Sequence, residues 1–292
     1  MLDKYPKITV VTPSYNQGAF LEDTIVSVLA QQYPNLEYII IDGGSTDNSV
    51  QIIKKYEQQL AYWVSEPDKG LYDGIQKGFE RSTGEIMCWI NSDDMHHRKS
   101  LFTIAGLFQS LTDVNWIMGC NSFYDEEGRV FVPDPDMFYN RWSKWRMYDY
   151  DGNFIQQESI FWRRSLWEKA GSYIDKNLAL TGDADLWLRF FRHDQLYTTT
   201  FMLAGFRIRT GVQKSKDHFE EYVTELKMLI QRELKAGKAE RHLSWVRFIK
   251  TIARFIPIMK FRHMLIYKVM KITPKLAYMP TRGYYFDKKY KL

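Results

Sequence analysis

Two adjacent carboxylates, Asp93 and Asp94, follow the apolar run Glu85 to Ile90. On a loop behind a buried strand, such a pair offers hard oxygen ligands to a divalent cation. Magnesium or manganese suits one or two protein carboxylates, because the remaining ligands come from water and substrate phosphate. Taken alone, the pair is equally compatible with a turn in which Asp94 caps a helix predicted over residues 99–111. Asp42, at the tip of the run Leu36 to Ile41, is a third strand-end carboxylate, and its Asp-Gly context is ordinary turn chemistry by itself. The combination is more informative. Asp42 can accept from a base or a ribose, Asp93 and Asp94 can hold metal and phosphate, and Pro13-Ser14-Tyr15-Asn16 can set an aromatic wall beside them. No GxGxxG or P-loop lysine motif accompanies these residues, which disfavours a dinucleotide or P-loop site.

These residues need a scaffold that brings them together. Lys7 to Thr12 reads as a strand, followed by a helix whose apolar Leu21, Ile25, Val28 and Leu29 fall at helical spacing. Leu36 to Ile41 is a second strand; Asp42-Gly43-Gly44-Ser45 breaks it, with Ser45 placed to cap a helix running to Tyr56. A strand over 61–65, a helix over 71–81 and a strand over 85–90 continue the alternation. This is the pattern of βαβ units and an α/β sheet, whose ligands sit at the carboxyl ends of the strands. Thr12, Asp42, Asp93 and Asp94 are therefore expected in one crevice. Beyond residue 112 the pattern shifts to short strands at 115–119 and 129–132, an aromatic cluster at 139–150 and a helix over 182–193. The composition, 45% hydrophobic and 16% aromatic in 292 residues, is globular. Cys88 and Cys120 lie far apart in apolar contexts, reading as buried thiols in a reducing compartment and excluding a zinc site built on Cys spacing. His96 and His97 read as solvated loop residues.

Four ordered segments then resemble the family 2 glycosyltransferases: VVTPSYNQGAFLEDTIVSVLAQQYPNLEYIIIDGGSTDNS, SEPDKGLYDGIQKGF, TGEIMCWINSDD and GDADLWLR, spanning about residues 7–215. The resemblance implies a GT-A fold, a Rossmann-like mixed sheet flanked by helices. It implies that Thr12, Pro13 and Tyr15 line a nucleotide site, that Asp42 contacts the base, and that Asp68 and Lys69 flank them. Asn91-Ser92-Asp93-Asp94 takes the place of the family's metal and diphosphate motif, with Asp93 nearer the ribose and Asp94 the direct metal ligand. Asp183 corresponds to the general base, with Gly182 where some members carry an acid; Asp185 can also simply complement its helix dipole. Trp162, Trp187 and Arg189 fall in segments expected near the acceptor, although core packing accounts for them equally well. Where the family often has a late His, this chain has Arg209, which leaves the third metal ligand open.

The chain's net charge of +5 is unevenly distributed. Residues 241–292 hold 13 of the 40 Lys and Arg and one of the 35 Asp and Glu, leaving about −7 on the body and about +12 on the tail. Trp245, Phe248, Ile249, Ile252 and Ile256 follow helical spacing, as do Ile258, Phe261, Leu265, Val269 and Ile272 after Pro257, with basic residues between. That is the pattern of an interfacial helix, or of a helix covering the body or a subunit contact. The expected organisation is a catalytic unit over 1–235 and a basic, amphipathic helical extension over 236–292 that meets a membrane surface. Met1 to Pro6 lacks an apolar run and no stretch reaches about 18 apolar residues, so a cytoplasmic protein, peripheral on the inner face of the cell membrane, is expected. The function implied is inverting, metal-dependent transfer of a hexose-type sugar. The donor is a nucleoside diphosphate sugar, and the acceptor a hydroxyl of a glycan or lipid-linked acceptor in surface polysaccharide biosynthesis. A nucleotidyltransferase would want a Gly-rich, cationic loop that TPSYNQGAF lacks. An inactive nucleotide-binding or nucleic-acid-binding module is the remaining alternative, and the acidic body argues against nucleic acid as a partner.

Overall fold

The computed structural model describes residues 5–131, 142–150, 155–210, 218–237 and 239–287. The strands are β1 (Ile8–Ser14), β2 (Leu36–Asp42), β3 (Tyr62–Ser65), β4 (Ile86–Trp89), β5 (Met95–His96), β6 (Trp116–Met118), β7 (Phe123–Tyr124), β8 (Val130–Phe131), β9 (Ile160–Arg163), β10 (Tyr197–Thr198), β11 (Ala204–Arg207), β12 (Lys275–Met279) and β13 (Gly283–Asp287). The helices are α1 (Leu21–Leu29), α2 (Ser49–Tyr56), α3 (Leu71–Arg81), α4 (Ser100–Ser110), α5 (Lys144–Tyr148), α6 (Arg164–Lys169), α7 (Gly182–His193), α8 (Phe219–Ala236), α9 (Glu240–Ala253) and α10 (Met259–Val269).

Seven strands form the main sheet in the order β10-β6-β9-β4-β1-β2-β3. β1 pairs in parallel with β2 and β4, placing Val10 opposite Tyr38 on one side and Cys88 on the other. All seven residues of β1 are buried, as expected of a parallel strand covered by helices on both faces. β9 runs antiparallel between β4 and β6, making the sheet mixed. This strand has no clear periodic signal, because its four residues Ile-Phe-Trp-Arg are too few to alternate. A second sheet, β5-β11-β7-β8, begins directly after the Asn91–Asp94 loop and braces it. Helix α3 packs on β1 and β2 at close range, since a Cβ on Gly78 would stand 2.4 Å from Val11 Cγ1.

Two sequence expectations need correction. Helix α2 begins at Ser49 and not at Ser45: the Ser45 oxygen accepts from the Asn16 amide while its proton goes to Asp42 Oδ1, and Asp47 Oδ1 accepts from the Ser49 amide. The carboxyl-terminal extension is not wholly helical: β12 and β13 form an antiparallel hairpin, and Leu276 bridges Thr199 beside the edge strand β10. The expected 129–132 strand and 139–150 aromatic cluster fall partly outside the described residues; within them lie β8 and α5.

Gly78→Ala should destabilise the fold by about 1–3 kcal/mol through overpacking against Val11, outweighing the gain of about 1 kcal/mol in helix propensity. Urea unfolding should show this loss, and adding Val11→Ala to Gly78→Ala should recover part of it. Additive losses in that double-mutant cycle would show that the contact is not the cause.

Candidate active site

The crevice at the carboxyl ends of β1, β2 and β4 is shaped first by Asp42. Its Oδ2 accepts from the amides of Gly44 and Ser45 and the hydroxyl of Ser65, and its Oδ1 accepts from Ser45 Oγ. A carboxylate offers about four acceptor sites, so Asp42 folds its own loop and keeps little more than one Oδ1 lone pair for a ligand. Asp68 faces this turn from the β3–α3 connection, accepting from the Gly70 amide at 2.8 Å. Gly43 and Gly74 leave room for it; a Cβ on either would lie 2.8 and 3.2 Å from Asp68 Oδ2. Tyr15 and Lys69 are exposed at the rim and Pro13 is buried against Gly74. Thr12 is placed differently from the expectation. It points into the sheet, with its hydroxyl 3.1 Å from Tyr38 OH, and lies fully buried beneath the crevice.

The loop after β4 holds the two neighbouring carboxylates in unlike environments. Asp94 is 0% exposed, and its Oδ1 accepts from the Arg207 amide at 2.8 Å. Asp93 has a side chain 15% exposed, ion-paired to Arg209 at 2.8 Å. Asp93 is thus the carboxylate nearer the surface, and Asp94 is held beneath it by the Arg207 amide. Ser92 is buried as well, while Asn91 is half-buried and its Oδ1 has no donor among the described residues. Arg207 is itself buried; its Nε donates to the Asp93 carbonyl, one terminal amine to the Glu126 carbonyl, and the other to Asp23.

Glu158, in the turn before β9, was not legible as a site residue. It is buried, its Oε1 has no partner among the described residues, and burial pushes its carboxyl up to about 8, with Asp93 and Asp183 adding to the shift. Burial likewise raises Asp94, reinforced by Asp93 and Glu158, and burial raises Asp93 against the pull of Arg209. Asp93 and the Asn91 amide oxygen are oxygen donors of the kind a divalent cation takes. Among the described residues no three His, Cys, Asp or Glu side chains converge as a metal cage. An ion held here by Asp93 would accordingly complete its shell from phosphate and water. The histidines are not solvated as expected. His96 is buried, which pushes it down to about 3, and His97 bonds Ser122 and Tyr124.

Asp183 occupies the first turn of α7 and lines a small cavity of about 20 Å³ with Trp142, Tyr150, Trp187 and Tyr222. Burial raises its carboxyl to about 6. The Tyr72 hydroxyl lies 3.4 Å from Asp183 Oδ1 and 2.8 Å from the Leu180 carbonyl. Gly182 is the residue that lets Tyr72 approach, since a Cβ there would meet its ring at 2.8 Å. Asp185 faces away, in a buried ion pair with Arg189 at 2.8 Å that Arg232 joins. Two of the acceptor candidates are consequently interior residues. Arg189 is consumed by Asp185 and the Ala170 and Tyr173 carbonyls, and Trp162 is fully buried among Phe79, Trp89 and Trp187. Trp187, although 1% exposed and stacked on Trp89, reaches the cavity wall beside Asp183, and its indole nitrogen has no partner among the described residues.

The profile of glycosyl transferase family 2 matches residues 9–168, more than half of the chain and the part that carries Asp42, Asp93, Asp94 and Glu158. The chain belongs to that family. A glycosyltransferase of Rickettsia prowazekii, itself uncharacterized, is 24% identical over 260 residues, covering 86% of this chain and 80% of that protein. TuaG of Bacillus subtilis, a glycosyltransferase whose name places it in teichuronic acid biosynthesis, is 35% identical over 99 residues, 33% of this chain and 39% of that one. Among solved structures, TarS 1-349 of S. aureus in complex with UDP-GlcNAc matches with a TM-score of 0.59 at 16% identity, covering 89% of this chain and 86% of that one. The mannosyltransferase PcManGT of Pyrobaculum calidifontis, in complex with GDP-Man and Mn2+, matches with a TM-score of 0.54 at 17% identity over 91% and 86% of the two chains. These likenesses establish a GT-A-like fold for this family 2 glycosyltransferase.

The raised Asp183 carboxyl has a consequence for stability. Its folded-state value, about 6, exceeds the ordinary 3.8, so the protonated form favours folding; that contribution is full below about 4 and is lost as pH rises through about 6. Asp183→Asn should therefore raise the Tm at pH 8, by an amount equivalent to at most about 3 kcal/mol, and leave it nearly unchanged at about pH 3, below both values. A variant no more stable than wild type at pH 8 would show that the carboxylate is not held at a cost.

Proposed function

We propose that this family 2 enzyme moves a sugar, with inversion, from a nucleoside diphosphate donor to a hydroxyl of a glycan or lipid-linked acceptor in surface polysaccharide biosynthesis. The observation that carries the reading is the separation of two kinds of carboxylate. Asp93 stands at the mouth of the nucleotide crevice, and Asp183 stands beside an aromatic cavity, with Glu158 feeling both. An inverting transfer needs that separation, because the acceptor must attack from the face opposite the departing nucleotide.

In this reading Tyr15, Pro13, Asp68 and Lys69 border the base and ribose, and Asp42 holds the turn beneath them with its remaining lone pair toward the base. Asp93 and the Asn91 oxygen would hold a magnesium or manganese ion, which when bound neutralises charge on the leaving diphosphate. Arg209, at 2.8 Å from Asp93, supplies a fixed positive charge at the same place. Asp183 takes the proton from the acceptor hydroxyl; a carboxylate with its affinity near pH 6 is a better base than an ordinary Asp and is still ionised at neutral pH. Tyr72 stands beside it, and Trp142, Trp187 and Tyr222 wall a space of water size at its side. Residues 1–235 constitute the catalytic unit. Residues 236–292 hold it, in the cytoplasm, on the membrane that presents a lipid-linked acceptor. No helix among the described residues is long and apolar enough to cross a membrane.

The test begins with binding. A panel of nucleoside diphosphates and nucleotide sugars should raise the Tm in the presence of manganese, and Asp93→Ala should remove the manganese-dependent part. Asp183→Asn should keep the binding and lose about 10²–10⁴-fold in kcat with whichever donor and acceptor turn over. Wild-type kcat should rise with pH through about 6, the range in which Asp183 ionises. Retention of full activity by Asp183→Asn would sink the assignment of the base.

A further inference from the structure

Helix α9 has two apolar faces. Leu243 and Val246 join the hydrophobic core and Ala253 is buried as well, which fills the single stripe that an amphipathic helix requires. About 140° round the helix, at about 100° per residue, Trp245, Phe248 and Ile252 form a second stripe, and all three are exposed. The stripe continues through Phe255, 83% exposed, past Pro257 to Ile258, 66% exposed, and onto Phe261 at the start of α10. A water-facing helix surface ordinarily carries polar residues, so a contiguous bulky patch of this kind marks a contact surface.

The surrounding charge selects the occupant. Arg241, Arg254 and Arg262 border the patch with no carboxylate partner among the described residues, and no acid occurs between residues 241 and 286. An isologous pairing of two copies would press the same cationic tails together. An anionic bilayer instead takes the bulky side chains into its headgroup region and the guanidinium groups onto its phosphates.

The patch is also tied to the site. Arg247 and Lys250 on α9 both bind Asp149, and Trp145 of α5 packs on His242 with ring centroids 4.0 Å apart. Met147 and Tyr150, flanking Asp149, line the cavity beside Asp183. We propose that the outer stripe of α9, the Pro257 elbow and the start of α10 lie in the headgroup layer of an anionic membrane, holding the aromatic cavity next to the lipid surface. This rests on reading the tail as the membrane-bound part, and it names the face that binds. That face is not the stripe folded against the body.

The test uses the full-length protein with vesicles of phosphatidylcholine, with and without 30% phosphatidylglycerol, by co-sedimentation at low and high salt, alongside the triple variant Phe248→Ser, Phe255→Ser, Ile258→Ser. Wild type should bind the anionic vesicles, more weakly at high salt and hardly at all without phosphatidylglycerol. The triple variant should lose about 100-fold or more in affinity. Its melting temperature should match that of wild type, because the three side chains face away from the body. A triple variant that binds like wild type would overturn the assignment of the face and leave the membrane reading of the tail intact. Failure of wild type to bind anionic vesicles would overturn both. A wild-type dimer that the triple variant converts to monomer, without vesicle binding, would assign the patch to a second copy and overturn the proposal.

Discussion

One buried guanidinium organises the crevice at the carboxyl ends of β1, β2 and β4. Arg207 sits on β11, inside the protein, with five N–H donors to satisfy and no water to satisfy them. It meets them with the carbonyls of Asp93, Asp125 and Glu126 and the carboxylate of Asp23, while its own amide donates to Asp94. Those partners belong to α1, to the loop after β4 and to the turn after β7. A single side chain thus joins the main sheet, the small sheet and the first helix at the place where the crevice opens. The buried Asp94 carboxyl is the other half of this arrangement. It is sequestered from solvent, and what it fixes is the backbone that aims Asp93 outward.

This anchoring lets the protein keep acidic groups where they repel one another. Asp93, Asp94, Glu158 and Asp183 are all raised above the ordinary carboxylate range, with burial as the largest cause for each. A region of that kind is less stable than an apolar one of the same volume, and a densely packed interior offsets the cost. The tryptophans at 89, 116, 162 and 187 provide much of it. Trp89 and Trp187 stack at 5.6 Å, and Trp162 meets both edge-on. Residues that could be taken for sugar platforms are thereby the floor that makes an expensive site tolerable. Arg209, ion-paired to Asp93, moderates the repulsion together with Arg207.

The βαβ half was legible because its signals are long. β1, β2, α1 and α3 carry seven to eleven residues of clear periodicity, and Asp42, Asp68 and Asp93 stand at the ends of such elements. What could not be read has a physical reason in each case. β9 is four residues long and buried on both faces, so it shows no alternation. The roles of Asp93 and Asp94 depend on which of two neighbours finds the Arg207 amide, 113 positions away in the chain, and no local pattern encodes that. Glu158 sits in Gln157–Ser159, a single 3-10 turn with no motif of its own. Trp162 and Arg189 are a further case: the residue types that bind sugars are also those that fill a core and neutralise a buried Asp, and only burial separates the two uses. Ser45 does not cap because its oxygen accepts from the Asn16 amide, 29 positions earlier in the chain, a contact that no local pattern encodes.

The tail illustrates the same limit in a different form. Periodicity can reveal that α9 has an apolar stripe, but it counts residues without regard to which neighbours they meet. Trp245 and Phe248 stand out because they are large, whereas the buried residues of the helix, Leu243, Val246 and Ala253, are smaller and less conspicuous. Folding resolves the ambiguity by placing Leu243 and Val246 in the hydrophobic core and leaving the bulky aromatics outside. Close helix approach favours small side chains, whereas a soft, deformable surface such as a headgroup layer accepts large ones without shape complementarity. The division of side-chain sizes between the two faces of α9 is therefore itself physical information: one face is cut to fit a fixed partner, and the other is suited to a partner without fixed shape.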